Sequence, residues 1–499
     1  MAKNIVICSD GTGNTTIKGR GTNVFKLFEA VDVHGHRSGG LTRQVAFYDD
    51  GVGTEPWKPL RLLSGALGLG LGRNVRQLYA ELARAYEPKD RIYLFGFSRG
   101  AFTVRTLAGL VTRCGIVDWA RCGSDDVLRE RVRAAYEAYR ERYQTDLSRR
   151  LLGETRRTTA AERALAAFRE RTPVIHPVGI RFVGVWDTVD AVGLPIAHAA
   201  DFVNRFVYRF KFPDLVLSPQ VERACHALAL DDERHTFHPV MWDEAGAGGR
   251  IEQVWFAGVH SNVGGGYPKQ GMSLVALAWM LRRAEQAELR FVAADRAHYW
   301  DHQNVHDKLY DSRAGLTAYY RYKPRDIGRI CARHHLAPRV HLSAVERIVQ
   351  GTEGYAPGNI PRGLEVVATE PEPGDLAGAR AATLIAGALG PDGSLLDRVR
   401  GRVWVRRVTH YAALVLSVLI VALVVGVGWR SSGFPGVLGR LFSPTGLAGL
   451  AAEAAVACGT LLVPMAAALV LVIAIGVGAR RRMRRVFSGF WHGVVGPLR

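Results

Sequence analysis

Gly96-Phe97-Ser98-Arg99-Gly100 is the point in this chain where residue types and spacing most directly suggest a reaction. A serine hydroxyl is a weak nucleophile until a base takes its proton and a carboxylate orients that base. The G-x-S-x-G string is common by itself. Here an apolar run, Arg91 to Phe97, precedes it, and an apolar helical pattern, Ala101 to Val111, follows it. A sharp strand-to-helix turn in that context exposes the hydroxyl at the end of a sheet. The flanking glycines remove side chains that would collide in such a turn. The helix N-terminus behind the serine adds positive potential where an oxyanion would develop. Ser98 is the candidate nucleophile.

In this arrangement the acid and the base follow the nucleophile in the chain, each after a later strand. The run ending Val185-Trp186-Asp187-Thr188 makes Asp187 the candidate acid, with Asp190 in reserve. The run ending Phe256-Ala257-Gly258-Val259-His260 makes His260 the candidate base, with His341 as its rival. Gly264-Gly265-Gly266 follows, a turn whose backbone can pass close to the site. An oxyanion hole needs two backbone donors. Arg99 supplies one, and Gly11 or Thr12 in the early loop Ser9-Asp10-Gly11-Thr12-Gly13-Asn14 is expected to supply the other. That loop lacks the GK[ST] of a phosphate cradle, and Asp10 would repel phosphate. Whether Asp10 holds its own loop or faces the nucleophile stays open at this level.

The elements that must position these groups alternate in type. Apolar runs at 4–8, 41–48, 91–97, 180–186 and 251–256 read as strands, and 74–86 and 101–111 have helical spacing. Alternation of this kind predicts an α/β fold with a mostly parallel sheet, and the serine turn between strand and helix points within it to the α/β-hydrolase type. Two long segments, about 118–175 and 193–250, are expected as helical insertions capping the carboxyl edge. Residues 1–361 are expected to form the catalytic domain, and 362–405, rich in Pro and Gly, a linker.

The net charge of +19 at first suggests nucleic acid, but its distribution argues against that partner. From Arg398 onward there are 13 Arg, no Lys and one acid, Glu453. The arginines flank two uncharged apolar runs, 411–429 and 454–479, of 19 and 26 residues. A span needs about 20 residues to cross roughly 30 Å of hydrocarbon. Residues 406–485 are therefore predicted to be a transmembrane hairpin, with 486–499 as a cytoplasmic tail. Five Arg at 398–407 lead into the first run, five at 480–485 directly follow the second, and two lie between the runs. The positive-inside rule then places both ends in the cytoplasm, in an inner membrane. The stretch MAKNIVICSDGTG has no apolar core of signal-peptide length, which fits a cytoplasmic catalytic domain.

Other patterns carry less. Gly68-Leu69-Gly70-Leu71-Gly72 follows no suitable strand and reads as a turn. His235 with His238, and His302 with His306, have metal-compatible spacing but no convergent third ligand. Six scattered cysteines form no CxxC pair. No metal or cofactor is expected.

The motifs SDGTGN, YDDGVGT (48–54), GFSRGA, GVWDTV and GVHSNVGGGY, in this order, resemble the DUF2235 family. This is the α/β-hydrolase domain of Tle1-like phospholipase effectors of bacterial type VI secretion. The resemblance runs from about residue 3 to 361. It implies a lipase-like hydrolase with Ser98 as nucleophile, Asp187 as acid and His260 as base, and phospholipase A chemistry. The chain departs from the family pattern at Asn262 and Asp190, where Asp and Gly are usual, and in its added hairpin. The expected function is a membrane-anchored phospholipase with a lipid or ester substrate. An anchored hydrolase of a soluble ester or other acyl substrate, and a non-catalytic scaffold, stay open as alternatives.

Overall fold

The computed structural model describes residues 2–11, 21–51, 70–141, 157–190, 215–370, 376–389, 394–441 and 443–495. Thr12, Gly68, Leu69 and residues 142–156 and 193–214 of the two expected insertions lie outside the described residues. Eight strands form one sheet: β1 (Asn4–Ser9), β2 (Gln44–Asp49), β3 (Arg91–Phe97), β4 (Phe182–Trp186), β5 (Ala224–Ala229), β6 (Ile251–Phe256), β7 (Arg339–His341) and β8 (Glu365–Val367). Their order is β8-β7-β6-β5-β4-β3-β1-β2, and every neighbouring pair is parallel. Parallel strands are covered on both faces, so they read as continuous apolar runs. NIVICS and FVGVW, buried at every position, show this.

Helices cover both faces. On one side Ile5, Ile7, Ile92 and Leu94 pack beneath α2 (Leu71–Ala85) and α3 (Arg99–Cys114). The alternate residues Val6, Cys8, Tyr93 and Phe95 pack on the other side with α1 (Asn23–Ala30) and α7 (Gly271–Gln286). This is the period-two alternation of a pleated strand, here apolar in both directions. From the insertion at 118–175, α4 (Asp125–Glu141) and α5 (Arg157–Arg171) are described. Leu128, Val132, Ala135 and Tyr136 of α4 join the cluster under α2 and α3.

The chain leaves β1 for the edge strand β2, then returns to the other flank of β1 to form β3. From β3 onward each strand is added beside its predecessor. Connections thus diverge to opposite sides at the carboxyl ends of β1 and β3, the place where open α/β sheets leave a crevice. The loops at Ser9 and Ser98 flank it. The short helix α6 (His260–Gly264) follows β6, and α8 (Ala293–Asp301) comes after α7.

Three strands depart from expectation. Ala224-Cys225-His226-Ala227-Leu228-Ala229 lies within the expected insertion 193–250, yet it is a wholly buried strand between β4 and β6. Small residues and a histidine give it little intrinsic strand preference, and its neighbours decide its conformation. Strands β7 and β8 each have three residues, too short for a periodic signal. β8 lies within the segment expected to be a linker, as does the whole of α9 (Leu376–Leu389), which follows it.

Two long helices close the chain, α10 (Arg400–Leu441) and α11 (Pro444–Val495). They run side by side: Thr409 lies against Gly476, Gly428 against Leu450, and Arg440 pairs with Glu453 at 2.6 Å. Both are long and apolar enough to cross a membrane. Their apolar side chains face outward, with Val418 59% and Val470 67% exposed. Exposed apolar surface on this scale marks a contact with a membrane or with another protein. At the base, Val403, Met483, Phe487 and Trp491 join the cluster around Trp255 and Val340, so the two helices are packed onto the α/β unit.

Candidate active site

Ser98 stands at the junction of β3 and α3, with φ 59° and ψ −119°. For a residue with a side chain this is strained backbone, of the kind that persists where the surroundings over-determine it. The turn is tight against the end of β1. A Cβ on Gly100 would lie 2.0 Å from the Ser9 carbonyl oxygen, so the position admits only glycine. The Arg99 amide is the first of α3, at the positive end of that helix.

The structure brings Ser98, His260 and Asp187 together. His260 Nε2 is 2.8 Å from Ser98 Oγ, and His260 Nδ1 is 2.6 Å from Asp187 Oδ2. An ionised carboxylate can only accept, so Nδ1 carries the proton and Nε2 accepts from the serine hydroxyl. Asp187, rather than Asp190, is the partner. All three side chains are buried or nearly so. Close packing sets the approach of the His260 loop. A Cβ on Gly264 would strike the Phe97 ring at 2.0 Å, and that ring lies 4.6 Å from the His260 ring. Asn23 at the start of α1 donates to the carbonyls of Val263 and Ser273, which holds the same loop from the far side.

Arg325 is a member of the site that the sequence pattern missed. It is fully buried, and its Nη1 and Nη2 donate to Asp187 Oδ1 at 2.7 Å and Oδ2 at 2.9 Å. The same guanidinium donates to the carbonyls of Ala229 and Phe237. Burial by itself would raise the Asp187 carboxyl. The charge and hydrogen bonds of Arg325, joined by His260, outweigh it and hold the group well below the usual carboxylate range. The Ala229 amide adds a further donor at 3.0 Å. Nothing in Pro324-Arg325-Asp326 marks that arginine as buried, because the contact joins residues 138 positions apart. Burial lowers His260 from its ordinary value, and Asp187 only partly restores it. The imidazole is therefore neutral, as a general base must be.

The early loop is built around Asp10. Its carboxylate accepts from the Gly11 amide at 2.6 Å, from Tyr48 Oη at 2.8 Å and from Thr22 Oγ1. Asp10 therefore holds its own loop. Gly11, one of the two expected oxyanion donors, gives its N–H to Asp10 in this arrangement. His341 is not beside the serine. It stacks on Phe256 at 4.6 Å and bonds Ser343 and Thr369. His238 bonds the Lys323 carbonyl, and His306 lies between Thr352 and Glu346. A cavity of about 330 Å³ is lined by Asp232, Arg325 and Val259 together with Arg406, Met483 and Phe487 of the two long helices; neither Ser98 nor His260 lines it.

A model of the T6SS phospholipase effector Tle1-like catalytic domain matches residues 3–283. An uncharacterized protein of Saccharomyces cerevisiae is 29% identical over 248 residues, 47% of this chain and 32% of that protein. The match thus spans about a third of that relative's length. A solved structure of an uncharacterized protein from Pseudomonas aeruginosa aligns with 76% of this chain and 57% of its own, at 18% identity and a TM-score of 0.34.

The buried clamp on Asp187 generates a test. Arg325→Gln leaves a buried carboxylate without its cation, a change that costs about 3–5 kcal/mol in folding stability. The carboxylate, no longer neutralised, favours the imidazolium form of His260. In the native protein the acid limb of the kcat/KM profile on an ester is expected below the ordinary imidazole range, because burial lowers His260, and in Arg325→Gln it is expected at higher pH. Thermal unfolding in detergent and pH–rate curves for both proteins check this. A limb that stays in place would mean that Arg325 only fills space.

Proposed function

The chain belongs to the T6SS phospholipase effector Tle1-like catalytic-domain family, and on that premise we propose that it is a membrane-anchored serine ester hydrolase acting on phospholipid. Membership in a phospholipase family points to lipid hydrolysis. The observation that carries the finer reading is the hydrogen-bonded series Ser98 Oγ, His260, Asp187, closed by Arg325.

Ser98 Oγ attacks the acyl carbonyl carbon as His260 Nε2 takes its proton. Asp187 stabilises the imidazolium that forms, and it is fixed in place by Arg325. The carbonyl oxygen becomes an oxyanion at the N-terminus of α3, where the Arg99 N–H is a donor. The intermediate collapses, and His260 returns the proton to the departing alcohol, the lysophospholipid. Water then attacks the acyl-serine by the same route, releasing the fatty acid and restoring Ser98.

The hairpin supports anchoring. Two uncharged runs, 411–429 and 454–479, project apolar side chains outward, and arginines crowd their outer flanks. Trp404, 64% exposed, lies beside those arginines, where aromatic residues anchor helices at membrane boundaries. In this reading residues 1–361 are the catalytic unit and 406–485 the anchor. The catalytic unit lies on the arginine-rich, cytoplasmic side. Tethering confines enzyme and lipid to one surface and raises their effective concentration.

Two experiments test this reading. Ser98→Ala and His260→Ala should each lower phospholipid hydrolysis by about 10³-fold or more, and fluorophosphonate labelling should vanish in Ser98→Ala. His341→Ala should keep most of the activity. Labelling that persists in Ser98→Ala, or reversed roles of the two histidines, rejects the assignment; faster turnover of soluble short esters than of vesicle lipid rejects the substrate class. For topology, protease added to the outer face of oriented vesicles should leave residues 1–397 intact. Release of the catalytic unit from that face rejects the cytoplasmic placement.

A further inference from the structure

Residues 314–320 read Ala-Gly-Leu-Thr-Ala-Tyr-Tyr, seven uncharged residues between Arg313 and Arg321. A short 3-10 turn, Gly315–Tyr319, shapes them. Tyr319 is 41% exposed, and its hydroxyl donates to Ser417 Oγ at 3.3 Å. Ser417 is six residues into the uncharged run that starts at Tyr411. At 1.5 Å per residue that is about 9 Å along the helix. The run of 19 residues, 411–429, covers about 28 Å, close to the hydrocarbon thickness of roughly 30 Å. Little length remains to keep Ser417 in water while the helix still spans.

The flanks of the loop lie nearer the boundary. Arg313 Nη2 is 3.4 Å from His410 Nδ1, and the Arg321 guanidinium lies 5.8 Å from the Tyr411 ring centre. Both partners sit where the uncharged run begins, at headgroup level. Cations at that level with an uncharged, tyrosine-bearing tip beyond them form the pattern of a membrane-interface element. Three carbonyls of the tip also have partners inside the protein. The Ala314 carbonyl accepts from Thr317 Oγ1 at 2.7 Å, that of Thr317 from the Tyr320 amide at 3.1 Å, and that of Ala318 from Arg313 Nη2 at 2.8 Å. Entry into hydrocarbon requires backbone groups to be satisfied in this way.

From this placement we propose that the Ala314–Tyr320 loop dips into the leaflet beside the hairpin, making the lipid surface a binding partner of the catalytic unit itself. The proposal rests on reading α10 and α11 as membrane spans. Its consequence reaches the site directly. Tyr320 packs edge-on against Phe237 at 5.5 Å, and Phe237 packs edge-on against His260 at 5.0 Å. Two aromatic contacts thus connect the membrane-facing loop with the catalytic imidazole, and five residues further along the chain Arg325 holds Asp187. A phospholipid drawn from the leaflet at this loop meets aromatic surface next to the triad.

The test measures depth. Full-length protein carrying Cys458→Ser, which removes the one cysteine that is not buried, is reconstituted in vesicles of phosphatidylcholine and phosphatidylglycerol. A nitroxide is attached in turn at Ala318→Cys in the loop, Val421→Cys in the first span and Glu130→Cys on the exposed face of α4. Accessibility to oxygen, which partitions into hydrocarbon, is compared with accessibility to a nickel chelate, which stays in water. The oxygen-to-nickel ratio at Ala318 is expected to be several-fold higher than at Glu130 and to approach that at Val421. A ratio at Ala318 equal to that at Glu130, with Val421 in hydrocarbon, overturns the loop proposal and leaves the spans standing. A water-exposed Val421 overturns the spanning hairpin, and this proposal with it.

Discussion

A carboxylate with no access to water must be held ionised by its neighbours, and Asp187 is such a group. Desolvation of a lone carboxylate inside a protein would neutralise it, and a neutral acid could no longer orient His260 or balance its charge. Arg325 meets the requirement with a two-pronged contact, and the Ala229 amide and His260 occupy the remaining acceptor sites. The arginine is itself held by the carbonyls at the end of β5 and in the segment after it. The ends of three adjoining elements, β4, β5 and the 321–325 segment, therefore meet at one carboxylate. The strained backbone at Ser98 and the close contact of Gly264 with Phe97 complete the approach of the other two side chains.

The same segment ties the site to the hairpin. Residues 321–323 run beside 233–235: the Lys323 amide donates to the Glu233 carbonyl, and the His235 amide to the Arg321 carbonyl. Arg406, at the base of α10, reaches both strips. It pairs with Glu233 at 3.2 Å and lies 3.6 Å from the centre of the Tyr322 ring. One residue from Glu233, Asp232 accepts from the His260 amide at 3.3 Å and is paired with Arg234. Burial would raise Asp232, but Arg234 outweighs it and keeps the group ionised. The first helix of the proposed anchor is thus separated from His260 by a single paired strip. Arg480 of the second helix adds a 2.6 Å contact with Asp311.

Much of this was legible in the sequence, for identifiable reasons. Strands β1, β3, β4 and β6 are apolar runs closed by glycine or acidic turns, and such runs are what a buried parallel sheet requires. Ser98, Asp187 and His260 could be named because each follows one of those runs, in the order Ser, Asp, His. The two uncharged runs near the C-terminus needed only length and composition to be recognised. What the sequence left out came from contacts between distant parts of the chain. Ala224–Ala229 is a strand because β4 and β6 pair with it on either side, not because Ala, Cys and His prefer that conformation. Arg325 carries no local mark, since its value lies in a buried carboxylate far away in the chain. Asp10 was ambiguous until Thr22 and Tyr48 came into place around it. Periodicity and turn chemistry are properties of neighbours along the chain, so they can be read in one dimension. The ionisation of a buried acid and the pairing of a weak strand depend on which groups meet in space, and only the tertiary structure decided those.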